Sequence, residues 1–167
     1  MTVLRQCARS TSMASRIRIE VLGDPKPQPR QRHRAVQING KLLTKNYTPK
    51  GDPVNTWKDL IALSAREHLP DYPISGAIRV DSYYYFRRPK SHFRTGKNSH
   101  LLKDSAPLYH TTKPDRDNLD KSFMDIMTNI GFWRDDRQVV AGELVKKYTG
   151  PNERPGALFI IEALEEE

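Results

Sequence analysis

Two acidic knots flank one amphipathic stripe, and the length of that stripe limits how the chain can bring them together. The first knot is Lys113-Pro114-Asp115-Arg116-Asp117-Asn118-Leu119-Asp120-Lys121; the second sits in Gly131-Phe132-Trp133-Arg134-Asp135-Asp136-Arg137-Gln138-Val139-Val140. Between them Leu119, Phe123, Ile126, Met127 and Ile130 recur at i, i+4, i+7, i+8 and i+11, which is a helix with one buried face. A helix of about 13 residues is roughly 20 Å long, so Asp135 and Asp136 at its far end cannot reach Asp117 directly. For both knots to serve one intramolecular site, the strand starting at Gln138 must pair beside the chain leading into Asp115, with its first residues near the carboxylates.

The first knot has the chemistry of a metal site. Asp115 and Asp117 alternate, so on extended backbone their carboxylates share a face, and a helix opening at Asn118 carries Lys121 one turn above Asp117. Asp117 or Asn118 is the expected N-cap, and Asp117, Lys121 and Asp125 share a flank. Capping and i,i+4 pairing with Lys121 account for these acids without chemistry, and for Asp125 that structural role is at least as good. Hard oxygen donors beside a cation suit Mg²⁺, which takes one or two carboxylates plus phosphate oxygens and water and is the usual ion of phosphodiester hydrolysis. A nuclease is the first function to test.

Charge agrees with an anionic polymer as partner. The 167 residues carry 28 Lys/Arg against 20 Asp/Glu, a net charge of +8. The first 50 residues hold 11 of the cations and only 2 acids, whereas residues 111–167 hold 8 cations and 12 acids. Grip on phosphate and the carboxylate knots are thus separate in sequence. Cys7 is the single cysteine, which excludes an intrachain disulfide and a cysteine-based zinc site. The five histidines show no i,i+4 pair and read as surface or loop residues. No apolar stretch approaches a membrane span, so no membrane partner is expected. Gly96-Lys97-Asn98-Ser99 lacks the upstream glycine and leading strand of a phosphate-binding loop, so no nucleotide cofactor is expected either.

Three segments organise the chain: residues 1–15, a disordered extension or targeting segment; residues 16–164, one domain; and residues 165–167, an acidic tail. Within the domain Arg16–Leu22 alternates as a strand, and Pro25–Arg34 reads as an extended proline-rich connector whose Arg30, Arg32 and Arg34 are candidates to track a DNA backbone. A hairpin turns at Asn39-Gly40, and Val54–Leu69 has helical period. Ala77–Arg87 alternates with Ile78, Val80, Ser82, Tyr84 and Phe86 on one face. Residues 88–112 are aperiodic and basic, a substrate clamp by length and charge, with Lys97 as a further DNA-binding candidate. Gln138–Tyr148 and Ala157–Leu164 read as two closing strands. The expectation is an α+β fold, one domain with a mixed, mainly antiparallel sheet and two main helices.

The blocks Asp115-Arg116-Asp117-Asn118-Leu119-Asp120-Lys121 and Trp133-Arg134-Asp135-Asp136-Arg137-Gln138-Val139, with the helix between them, resemble the RusA family of Holliday junction resolvases. The resemblance implies a homodimeric, Mg²⁺-dependent endodeoxyribonuclease that resolves four-way DNA junctions by paired symmetric nicks in recombination and repair. By that resemblance the catalytic carboxylates fall on Asp115, Asp117 and the Asp135-Asp136 pair, all four as metal ligands with Asp136 preferred as the direct one of its pair, and the essential lysine falls on Lys121. A cytoplasmic site in a bacterium or prophage goes with it, with organelle targeting by residues 1–15 as the alternative. The long loop 88–112, the N-terminal extension and Pro114 depart from the shortest members of the family. Two other functions stay open: a non-catalytic protein that binds branched nucleic acid, and a nuclease of broader range acting on flaps or RNA-containing duplexes.

Overall fold

The computed structural model describes residues 16–29, 32–47 and 51–165. Its elements run β1 (Ile17–Leu22), β2 (Arg32–Ile38), β3 (Lys41–Tyr47), α1 (Pro53–Arg66), β4 (Ile78–Phe86), α2 (Arg116–Asn129), β5 (Val139–Ala141), β6 (Leu144–Tyr148) and β7 (Gly156–Ala163). Strand β4 is the spine. Its strict alternation buries Ile78, Val80, Ser82, Tyr84 and Phe86 on one face, as the period of two requires. β7 pairs antiparallel with β4 on one side and with β1 beyond it, while β5 and β6 pair parallel with β4 on the other. The result is the expected α+β domain with a mixed, mostly antiparallel sheet.

Both helices cover the buried face of that sheet. Asp52 caps α1 by accepting from the Val54 N–H at 3.0 Å, Pro53 occupies the first turn, and Val54, Trp57, Ile61 and Ala65 form the buried stripe. α2 buries Leu119, Ser122, Phe123 and Met127. The Phe123 ring stacks on Phe159 of β7 at 3.7 Å and 9°, which fixes the helix over the middle of the sheet.

Sequence and structure differ at two strands. The proline-rich segment does not stay a connector as far as Arg34: Arg32 and Arg34 belong to β2, paired with Tyr47 and Lys45 of β3 around the Asn39-Gly40 turn, where φ is +50° and +75°. The stretch 138–148 is two strands rather than one. Gly142, at φ +144°, breaks it, and a Cβ there would stand 1.8 Å from the Val80 carbonyl oxygen, so only glycine admits this approach. Residues 88–112 are folded back on themselves: the Arg94 N–H donates to Leu101 O, Phe93 bridges Leu102, and Arg88 donates to Thr149 O and Pro107 O. No helix among the described residues is long and apolar enough to cross a membrane. The expected extension over residues 1–15 and the last two residues of the acidic tail lie outside the described residues.

Candidate active site

Asp115 is the N-cap of α2, so the helix opens at Arg116, two residues before the expected start, and neither Asp117 nor Asn118 is the cap. The Asp115 carboxylate makes no capping hydrogen bond. Asp115, Asp117 and Lys121 are exposed and enter none of the ion pairs among the described residues. Two carboxylates therefore stand in solvent at the opening of α2, with an ammonium one turn further along.

The approach to Asp115 is pinned by Lys146. Its Nζ donates to Thr112 O at 2.8 Å and Pro114 O at 2.6 Å, and backbone bonds from His110 N to Lys146 O and from Tyr148 N to Leu108 O lay this segment along β6. The chain after Gln138 does run beside the one entering Asp115, but through its last residues, Lys146–Tyr148, and not its first. Sequence reasoning missed Lys146, because one lysine of a Lys-Lys pair on a strand carries no local signal. Lys146→Met should destabilise the fold by about 2 kcal/mol, the scale of hydrogen bonds from a charged donor. It should also lower cleavage more than this loss of folded protein explains; urea melts and single-turnover rates check the two separately.

The second acidic knot stands at the other end of α2. Gly131, at φ +77°, ends the helix: its N–H donates to Thr128 O while the Phe132 N–H donates to Met127 O, a closed turn that leaves Phe132 and Trp133 buried. Gln138 then holds the acidic turn. Its Oε1 accepts from the N–H groups of Arg134 and Asp135, and its Nε2 donates to the carbonyls of Ile74 and Gly76. Asp135 is occupied, accepting from the backbone and guanidinium of Arg137, whose hydrogen bond brings its carboxyl down to about 2. Asp136 is the exposed neighbour. Asp125 lies on this side and pairs with Lys58 at 3.8 Å, not with Lys121.

One helix of 14 residues, about 20 Å by its rise, thus separates Asp115 and Asp117 from Asp135 and Asp136. Among the described residues no three metal-ligating side chains meet in one place. With Asp117 already inside the helix, the extended backbone that would have set the Asp115 and Asp117 carboxylates on one face is absent; a single chain carries Asp115, Asp117 and Lys121 in the opening turns of α2 and the Asp135-Asp136 turn beyond its far end.

Asp120, the remaining acid of the first knot, points inward. It accepts from Ser82 Oγ at 3.0 Å, and Ser82 is buried in the core under α2. Burial raises the Asp120 carboxyl above its ordinary value, against the opposing pull of Ser82 and Arg116. A carboxyl raised in the folded state supports the fold below its unfolded pKa, about 4, and that support is lost as pH rises through the folded value. Asp120→Asn, which keeps an acceptor for Ser82, should therefore melt higher than the parent at neutral pH, with the gap closing toward pH 4. A melting series from pH 4 to pH 8 reads this directly.

A second basic surface, which includes the expected Lys97, also leads into the first knot. Arg30 lies outside the described residues, and Arg32 and Arg34 are placed only as backbone of β2. Lys97 is exposed in a short 3₁₀ turn of the folded loop. That loop and its borders hold Arg87, Arg88, Lys90, Arg94, Lys97, Lys103 and Lys113 against the single acid Asp104, and they lead straight into Asp115. Tyr109, 55% exposed, lies 6.0 Å under the Lys147 ammonium on the same side.

Comparison with known proteins agrees with the two blocks. The chain is 33% identical over 138 residues to Uncharacterized protein YqaN of Bacillus subtilis (strain 168), a match that covers 80% of this chain and 88% of that protein. The model of the family Endodeoxyribonuclease RusA matches residues 23–155, which span the strap before β2, both helices, both acidic knots and the sheet as far as the turn before β7. With four-fifths of its length so matched, this chain belongs to the RusA endodeoxyribonuclease family.

Proposed function

We propose that the chain is a Mg²⁺-dependent, structure-specific endodeoxyribonuclease that resolves four-way DNA junctions by paired symmetric nicks, as a homodimer, in recombination and repair. The observation that carries this reading is the exposed acids Asp115 and Asp117, without a capping bond or ion-pair partner among the described residues, one at the cap and one in the first turn of the helix that carries Lys121, at the end of a strongly basic segment. Two unengaged carboxylates are a donor set that Mg²⁺ accepts when phosphate oxygens and water complete its shell. Asp115 and Asp117 would hold the ion, joined by Asp136, whose neighbour Asp135 is already spent on Arg137. When bound, Mg²⁺ polarises the scissile phosphate and lowers the pKa of an attacking water. Lys121 places its ammonium against the phosphate oxygens, and the cations of residues 87–113 hold the flanking backbone without reading sequence.

Separation of the two knots makes the dimer part of the chemistry. In the proposed dimer, a twofold axis across the exposed flank of α2 would set the two copies of that helix antiparallel and bring Asp136 of one copy toward Asp115 and Asp117 of the other. Two such composite sites related by twofold symmetry match the symmetry of a four-way junction. The competing reading, a protein that binds branched nucleic acid without cutting it, rests on the failure of three acids to meet among the described residues of one chain. Cleavage of a four-way junction, a flap and a linear duplex at equal concentration, in Mg²⁺ and in EDTA, separates the readings. Junction cutting that needs Mg²⁺ supports the proposal, preference for flaps gives the broader nuclease, and binding without nicking gives the accessory protein.

A further inference from the structure

A cleft of about 780 Å³ includes Asp115 in its lining, and apart from Asp115, Arg87 and Lys113 none of its lining residues has a role above. One wall is the strap Asp24–Pro29, the other is the segment His110–Asp115, and Phe86 at the end of β4 lies between them. Both walls are fixed. The Gln28 N–H donates to Asn118 O at 2.7 Å, Ser122 Oγ reaches Lys26 O at 3.3 Å, and Lys146 holds the opposite side. The space is therefore preformed, as ligand sites of this size are.

Its lining combines three kinds of chemistry. His110 stacks on the largely buried Phe86 at 4.0 Å and 23°, so the imidazole is the more exposed of the two aromatic rings in a lining that also holds the strap prolines. Gln28 Oε1 and His110 Nδ1 are both enclosed with no hydrogen-bond partner among the described residues, although buried polar atoms are nearly always paired, so either side chain gains a partner by turning toward a ligand in the cleft. Lys26, Arg87 and Lys113 add positive charge, and the Arg87 pairing with Asp24 is a loose 3.9 Å contact in solvent. Aromatic surface, an amide able to pair with a base edge and nearby cations are the complement of a nucleotide. A sugar or a free amino acid would leave the aromatic surface or the cations without a counterpart.

Stacked duplex cannot enter such a space, whereas a nucleotide at a branch point leaves its stack for a few kcal/mol. We propose that this cleft holds one nucleotide drawn out of the stack next to the phosphate at Asp115, with Gln28 and His110 contacting its base. The placement next to a scissile phosphate rests on the nuclease reading; occupancy by a nucleotide does not.

The test is a binding cycle on four-way junctions in EDTA, so no cleavage enters. Each of a panel of junctions lacks a single base at one position around the branch point. The intact full chain should bind one of these abasic junctions about tenfold more weakly than the complete junction, the scale of one good amide-to-base contact. Gln28→Leu, which keeps bulk and the backbone bond to Asn118, should bind the two alike, and Gln28→Ala should behave the same if its melting temperature matches the parent. No abasic position that discriminates, discrimination that survives both variants, or no junction binding at all overturns the proposal. A coupled cycle in a protein that never nicks would keep the cleft and sink the nuclease; normal nicking without coupling would do the reverse.

Discussion

Asparagine at Asp115, Asp117 or Asp136 should lower junction cleavage by at least about 10²-fold, the scale of removing a principal electrostatic stabiliser of the transition state. The substitution keeps size and shape and removes one charge. Because Asp115 and Asp117 make no capping bond or ion pair among the described residues, their loss should leave the fold intact. Junction binding in EDTA should persist or tighten, since less negative charge then faces the phosphates. Asp135→Asn is the informative contrast: its carboxylate caps the turn and pairs with Arg137, so it should act mainly through stability and less through chemistry. Nicking rates and melting temperatures across the four variants check the ordering, and parental rates in the first three would remove the metal-site assignment.

Lys121→Ala should lose most cleavage with almost no change in melting temperature. Were Lys121 only a surface partner for the neighbouring acids, its removal would matter by about 0.3–0.5 kcal/mol. That structural role is now weaker than the sequence allowed, because Asp125 pairs with Lys58 and Lys121 has no ion-pair partner among the described residues. On the proposed function, this exposed ammonium one turn beyond Asp117, without an ion-pair partner among the described residues, would meet a substrate phosphate. Lys121→Arg should rescue poorly, since a planar fork does not occupy the place of a point charge. Single-turnover cleavage at saturating enzyme decides it: a rate within about threefold of the parent, well short of the tenfold that 1.4 kcal/mol of barrier represents, returns Lys121 to a structural role.

What was legible in the sequence was whatever its local period encodes. The stripe from Leu119 to Ile130 gave α2 and Gly131 gave its stop, because helix period and a left-handed glycine are properties of adjacent residues. The alternation in Ile78–Phe86 gave β4 and its buried face. Arg32 and Arg34 were assigned to a connector because polar side chains on a two-stranded ribbon leave no apolar alternation to read. The break at Gly142 depends on the approach of Val80, a neighbour more than sixty residues away, and so does not show in the local pattern. The same holds at the candidate site. Asp115, Asp117, Asp136 and Lys121 stand out by type and spacing, but Lys146 and Gln138 act through carbonyls of distant segments, and their role appears only when those segments are side by side. The inward turn of Asp120 likewise follows from Ser82, which the sequence placed on the buried face of another element.

The 14 residues of α2 that hold the acidic knots apart make a shared site the central claim, and subunit mixing tests it most directly. Asp117→Asn and Asp136→Asn proteins, each inactive alone, are co-expressed so that mixed dimers form. If Asp136 of one subunit completes the site of the other, a mixed dimer has one site with both substitutions and one with neither. About half of the dimers are then mixed, and each has one working site, so nicking should return to roughly a quarter of the parental rate, in line with twofold assembly. Mixed dimers as inactive as either variant alone would place Asp136 in the same site as Asp117 of its own chain and would contradict the account.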